Sequence, residues 1–154
     1  MNKKIREDFE EIPVEIVEEK WNNYKLADHA TIRARPIMIK IFWPKEMKKL
    51  SPDKAIDLRG SFQKIVVPLC NKDLEGKPSG KLPSSIEEAL KMDSEPVKII
   101  TSEELWNTYE LPGGRGRLKV KMVVADVVKI KGIYDENGVP YYLVNSSLVI
   151  SPSF

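Results

Sequence analysis

The sequence predicts a mainly β protein with short helices (an α+β fold), internally duplicated. Two repeats of about 75 residues are expected to pack as a pseudo-twofold β-barrel or sandwich. Three observations predict this. The motif Trp-Asn-x-Tyr-x-Leu occurs twice, at Trp21–Leu26 and Trp106–Leu111. Each copy runs through turn-forming residues into an alternating basic strand, Thr31–Arg35 and Arg117–Lys121. Each basic strand then enters a longer apolar run, Ile37–Trp43 and Met122–Ile130. Tryptophan is rare, so two such motifs in one short chain point to duplication. The repeats are assigned to residues 1–78 and 79–154, as parts of one compact domain.

Upstream, one two-residue insertion aligns Pro13-Val14, Ile16 and Glu18-Glu19 with Pro96-Val97, Ile99 and Glu103-Glu104. Ile5, Phe9 and Ile12 fit one helical face, so residues 3–11 read as a helix. Ser84 to Met92 reads as its counterpart, with Ser84 or Ser85 as cap and Glu87 and Glu88 in the first turn. Val14 to Val17 and Val97 to Thr101 read as short strands. The Trp-Asn-x-Tyr-x-Leu segments follow as further strands, ending in the turns Ala27–Ala30 and Pro112–Gly116.

In the first long strand Ile32 and Ala34 alternate with Arg33 and Arg35, and after Pro36 the apolar set moves to odd positions. That change of phase predicts a bulge near Pro36. Pro44 to Arg59 reads as a loop, and Asn71 to Pro83, rich in Lys, Gly, Pro and Ser, as the linker between repeats. Gly60–Val67 aligns with Gly138–Asn145. Residues 133–150 read as a hairpin turning at Asn137-Gly138.

Composition narrows the function. The net charge is +2 and the pI about 8.5, a mild basic excess. No apolar run approaches the length of a membrane span, and the early acidic residues argue against a signal peptide. The lone Cys70 forms no internal disulfide and reads as a small core residue, so a reducing cytoplasm is expected. Plentiful Lys, Glu and Ile give a thermophile-like composition.

Catalysis finds little support. His29, the single histidine, falls in a turn and reads as solvated, and no nucleophile–base set assembles around it. Nothing points to a metal or a cofactor. Lys40 and Asp126 interrupt the apolar runs at matching positions, which suggests an ion pair between repeats.

The best lead is the basic strand faces. Residues i and i+2 share a face, so Arg115, Arg117, Lys119 and Lys121 align in one repeat and Arg33 and Arg35 in the other. Such a two-part stripe would suit nucleic acid or another polyanion, with Trp21, Tyr24, Trp106 and Tyr109 as stacking surfaces. The alternatives are a protein assembly or scaffold module, self-associating or not, and a small-molecule enzyme with its site between the repeats. In that last case Asp28, Asp126, Glu18 and Glu103 are the carboxylates to inspect.

Overall fold

A computed structural model describes residues 8–45 and 59–153. The described strands are β1 (Phe9–Ile12), β2 (Glu15–Glu18), β3 (Asn22–Leu26), β4 (Thr31–Pro44), β5 (Arg59–Leu69), β6 (Ser94–Val97), β7 (Ile99–Glu103), β8 (Asn107–Leu111), β9 (Gly116–Tyr134) and β10 (Pro140–Ser153). A short helix, α1 (Ile86–Leu90), precedes β6. Its N-cap is Ser85, whose hydroxyl accepts from Glu88 N–H at 3.1 Å, while Glu88 reaches back to Ser84 N–H at 2.9 Å. The sequence also favours a helix over 3–11. Asp8 is helical, residues 9–12 are strand instead, and residues 1–7 lie outside the described residues, as does 46–58 of the loop between Pro44 and Arg59.

The strands form two antiparallel five-stranded sheets. In the first, β4 carries β5 along one side and β3 and β1 in succession along the other, with β7 outside β3. In the second, β9 carries β10 along one side and β8 and β6 along the other, with β2 outside β8. The two patterns match strand for strand, as duplication requires. Each sheet is completed by the other half of the chain: β2 pairs with β8, and β7 pairs with β3.

Among the described residues no barrel closes, which corrects the barrel alternative. Closure needs β5 and β10 to pair, and among the described strands both remain edges. Lys64 Nζ, donating to the Ser146 carbonyl at 2.8 Å, bridges them instead. Pro68 on β5 and Pro152 on β10 each remove a donor from the ladder that closure would need.

Register refines the repeat. Asn22 faces Ala34 and Asn107 faces Val120, which equates Ala34 with Val120. Ile12 on Ile41 then corresponds to Val97 on Val127, so Val97 matches Ile12 and not Val14. Val66 likewise matches Ile150, displacing the alignment of Gly60 with Gly138. The bulges fall at equivalent residues, Ile39 on β4 and Ala125 on β9. Buried positions are even before each bulge (Ile32, Ala34, Pro36; Leu118, Val120, Met122, Val124) and odd just after it (Ile41, Trp43; Val127). The phase change is therefore visible in the sequence, and the bulge itself sits at Ile39, three residues after Pro36.

Both core clusters draw on both sheets. Ile12, Ile41 and Trp43 meet Tyr109, Leu111, Leu118 and Val120. Tyr24, Leu26, Ile32 and Ala34 meet Val97, Met122, Val124 and Val127. Between them the repeated motif acts as a polar clasp. Asn22 Oδ1 accepts from Leu105 N–H at 2.8 Å, and its Nδ2 donates to the Met122 carbonyl at 2.7 Å and to Tyr24 Oη at 3.1 Å. Tyr24 in turn donates to Glu104 at 2.7 Å, and Glu104 accepts from Val124 N–H at 3.0 Å. In the matching clasp Asn107 accepts from Lys20 N–H at 2.8 Å and Tyr109 donates to Glu19 at 3.0 Å. There the buried Asn107 Nδ2 only approaches the Tyr109 hydroxyl and has no carbonyl in the place that Met122 takes beside Asn22.

The clasps are thus unequal, and removal should show it. Asn22→Ala strands the buried groups that it joins and is expected to cost about 2–4 kcal/mol, against about 1 kcal/mol for Asn107→Ala. Denaturant unfolding of the two variants reads the difference; equal losses would contradict the unequal bonding.

Candidate interaction surfaces

Strand alternation settles where the basic side chains lie. The even residues of β4 and β9 face the shared core, so Arg33 and Arg35 on one sheet and Lys119 and Lys121 on the other face away from it. They form patches on two separate sheets. Several are already engaged. Arg35 lies 3.4 Å from Glu19, Arg115 3.7 Å from Glu10, and Arg117 4.0 Å from Glu110. Arg115 also donates to the Pro112 carbonyl at 2.8 Å and lies 5.4 Å from the Trp43 ring centroid.

The motif tryptophans cover basic side chains. Trp21 lies beneath Arg33 and Arg35, at 4.7 and 5.1 Å, and Trp106 beneath Lys121 at 4.7 Å. Tyr24 and Tyr109 are fully buried, with their hydroxyls committed to the clasps. Neither tyrosine offers a face to a base. Lys119 makes none of these contacts among the described residues.

The turns at the ends of β3 and β8 have diverged. At the first, His29 takes the left-handed conformation (φ 72°), and Asp28 accepts from Ala30 N–H at 2.9 Å. Asp28 also receives Lys129 at 3.0 Å and the Tyr142 hydroxyl at 2.7 Å, which ties the turn of one sheet to β9 and β10 of the other. Burial opposes ionisation of Asp28, but the hydrogen bonds from Tyr142, Ala30 and Lys129 outweigh it and hold the carboxyl below its usual range. At the second turn Gly113 and Gly114 supply the positive φ, and Arg115 stacks on Trp43, the residue equivalent to Lys129. A cation on the strand and an acid on the turn become an aromatic on the strand and a cation on the turn.

Other candidates fall differently. Cys70 packs on the second core cluster, and burial with the nearby carboxylates Glu75, Asp135 and Asp28 pushes its thiol up, away from reactivity. Lys40 pairs with Glu11 at 4.0 Å and not with Asp126. The clasp carboxylates are Glu19 and Glu104, each one residue beyond the Glu18 and Glu103 singled out from sequence. An open cleft of about 160 Å³ lies beside the Ile39 bulge, between Glu11, Val14, Lys40 and Tyr109. Among the described residues no three His, Cys, Asp or Glu side chains gather as metal ligands, and no helix is long and apolar enough to cross a membrane.

The edge strand β10 stands apart. From Asn137 to Phe154 no side chain is charged, although 31% of the chain is. Its exposed apolar residues include Val149 and Ile150, 41% and 47% accessible. The matching edge β5 carries Lys64 where β10 has Leu148, since Pro36–Lys64 corresponds to Met122–Leu148. This signal was countable in the sequence, but only the strand order shows that the segment is an edge.

Comparison with known proteins finds no family model, no curated protein and no solved structure that matches this chain.

The titrating groups give a pH signature. Asp28, lowered in the fold, contributes stability above its unfolded value of about 4, and that contribution is lost as pH falls through the lowered value. Tyr24, Tyr109 and Tyr142 are pushed up by burial, and carboxylate neighbours add to the shift, so their contribution holds below about pH 10 and is lost as pH rises beyond it. We expect Asp28→Asn to flatten the acid side of the stability profile and Tyr109→Phe the alkaline side. Profiles parallel to the wild type would contradict the assignment.

Proposed function

We propose that the chain is a binding protein that docks another polypeptide along β10, extending the second sheet by one strand. The observation that carries this reading is the uncharged edge. Unpaired edges invite strand addition, and soluble proteins blunt them with charge. This protein places such a charge on β5 and omits it from β10. The interlaced halves frame the edge, and the cleft beside the Ile39 bulge and the larger ones, of about 450 Å³ beside Tyr134 and about 550 Å³ beside His29, all lie open to solvent and offer a small molecule little enclosure.

The test is comparative capture from a lysate of the source cells, with wild type beside a Ser147→Lys, Val149→Lys variant shown to be folded. The reading expects one discrete protein retained by the wild type and lost from the variant. Identical captures would overturn it.

Polyanion binding is the second reading. It is favoured by the recurrence of outward basic pairs, Arg33 and Arg35 in one half and Lys119 and Lys121 in the other. It ranks lower because carboxylates and tryptophan rings already engage most of these groups. A salt titration against labelled single- and double-stranded DNA and RNA tests it, with an Arg33→Glu, Arg35→Glu, Lys119→Glu, Lys121→Glu variant as control. Salt-sensitive binding that the variant loses would support it, and no binding at low salt would remove it.

A further inference from the structure

We infer that the partner strand on β10 is β10 of a second copy of this chain, paired antiparallel about a two-fold axis beside Val149. This rests on the edge-docking reading and goes further by naming the occupant.

Direction comes first. Pro152 lies in the β9–β10 ladder opposite Leu118. Proline has no N–H to give, so its nitrogen belongs on the side away from β9. The Ser146 carbonyl also points away from β9, because Lys64 takes it from outside. Alternation then turns the backbone groups of Leu148 and Ile150 outward too, with no strand beside them among the described residues.

Next comes the pattern of side chains. An antiparallel pair about an axis beside Val149 sets Val149 against its own copy, Leu148 against Ile150 of the second copy, and Ser147 against Ser151. The stretch Ser-Leu-Val-Ile-Ser reads alike in chemical class from either end. Leu148 and Ile150 then exchange both backbone hydrogen bonds with Ile150 and Leu148 of the second copy. Ser146 comes opposite Pro152, which lacks a donor, and the Ser146 carbonyl already has Lys64. Every outward group in the stretch is thereby accounted for.

Charge and burial agree. A strand paired with itself brings each charge close to its own copy, and the segment from Asn137 to Phe154 has none. Ile150 pairs with Val120 on the core-facing side yet is 47% accessible. Leu148 of the second copy would cover it. A paired stretch this short makes a small interface, so the dimer should dissociate on dilution.

The experiment is sedimentation of the full chain over a dilution series. We expect a wild-type monomer–dimer equilibrium. Val149→Lys and Val149→Glu should each weaken it by at least about tenfold with an unchanged melting temperature, since Val149 is exposed. An equimolar mixture of the two should restore the dimer, because lysine then meets glutamate across the axis. Thr101→Lys, exposed on β7, controls for added edge charge and should leave the equilibrium unchanged.

A wild type that stays monomeric at every concentration overturns the self-pairing, while the edge-docking reading then stands or falls on the capture comparison. A dimer indifferent to both Val149 substitutions overturns the self-pairing by locating the contact elsewhere. So does a mixture that stays monomeric.

Discussion

The fold depends on the exchange of one strand between its halves. β2 leaves the first half to pair with β8, and β7 leaves the second to pair with β3. Neither sheet has all its strands from its own half. The clasps sit where the chains cross, and each joins the two halves: Asn22 binds Leu105 and Met122, Tyr24 binds Glu104, Asn107 binds Lys20, and Tyr109 binds Glu19. These polar groups are buried among apolar neighbours, where an unpaired donor is costly. The clasp therefore favours the crossed arrangement over one in which each half keeps its own strand.

This explains the motif. Asparagine supplies a donor and an acceptor to the crossing chain, tyrosine carries a hydroxyl through the core to the other half's glutamate, and leucine fills the core below. Tryptophan lies against the basic residues of the neighbouring strand. Duplication has left the halves similar at these points and different elsewhere. Asp28, Lys129 and Tyr142 lock one end of the molecule where Arg115, Trp43 and Glu10 occupy the other. β5 keeps an edge lysine and β10 has none.

Much of the architecture was legible in the sequence, because period and repetition are local signals. The long strands, the Asn137-Gly138 turn, the Ser85 cap and the matched halves follow from spacing alone. The strand at Phe9–Ile12 was not legible: its apolar spacing also fits a helix, and only its pairing with β4 decides between them. The register of Val97 and of Val66 differs from the one that sequence similarity favours, since apolar β sequence aligns with itself almost equally well at several offsets. The candidate site was less visible still. Arg33, Arg35, Lys119 and Lys121 were found on outward faces as alternation requires, but their acidic and aromatic partners come from distant sequence. The exchange has no local signature at all, and without it β10 cannot be recognised as an edge.

The most direct test of the interlaced fold is to produce residues 1–78 and 79–154 as separate chains and follow their folding by circular dichroism and NMR. The account predicts that neither half alone shows a cooperative thermal transition or dispersed amide signals, and that an equimolar mixture recovers both as a one-to-one complex. Halves that each fold alone, and ignore one another when mixed, would contradict it.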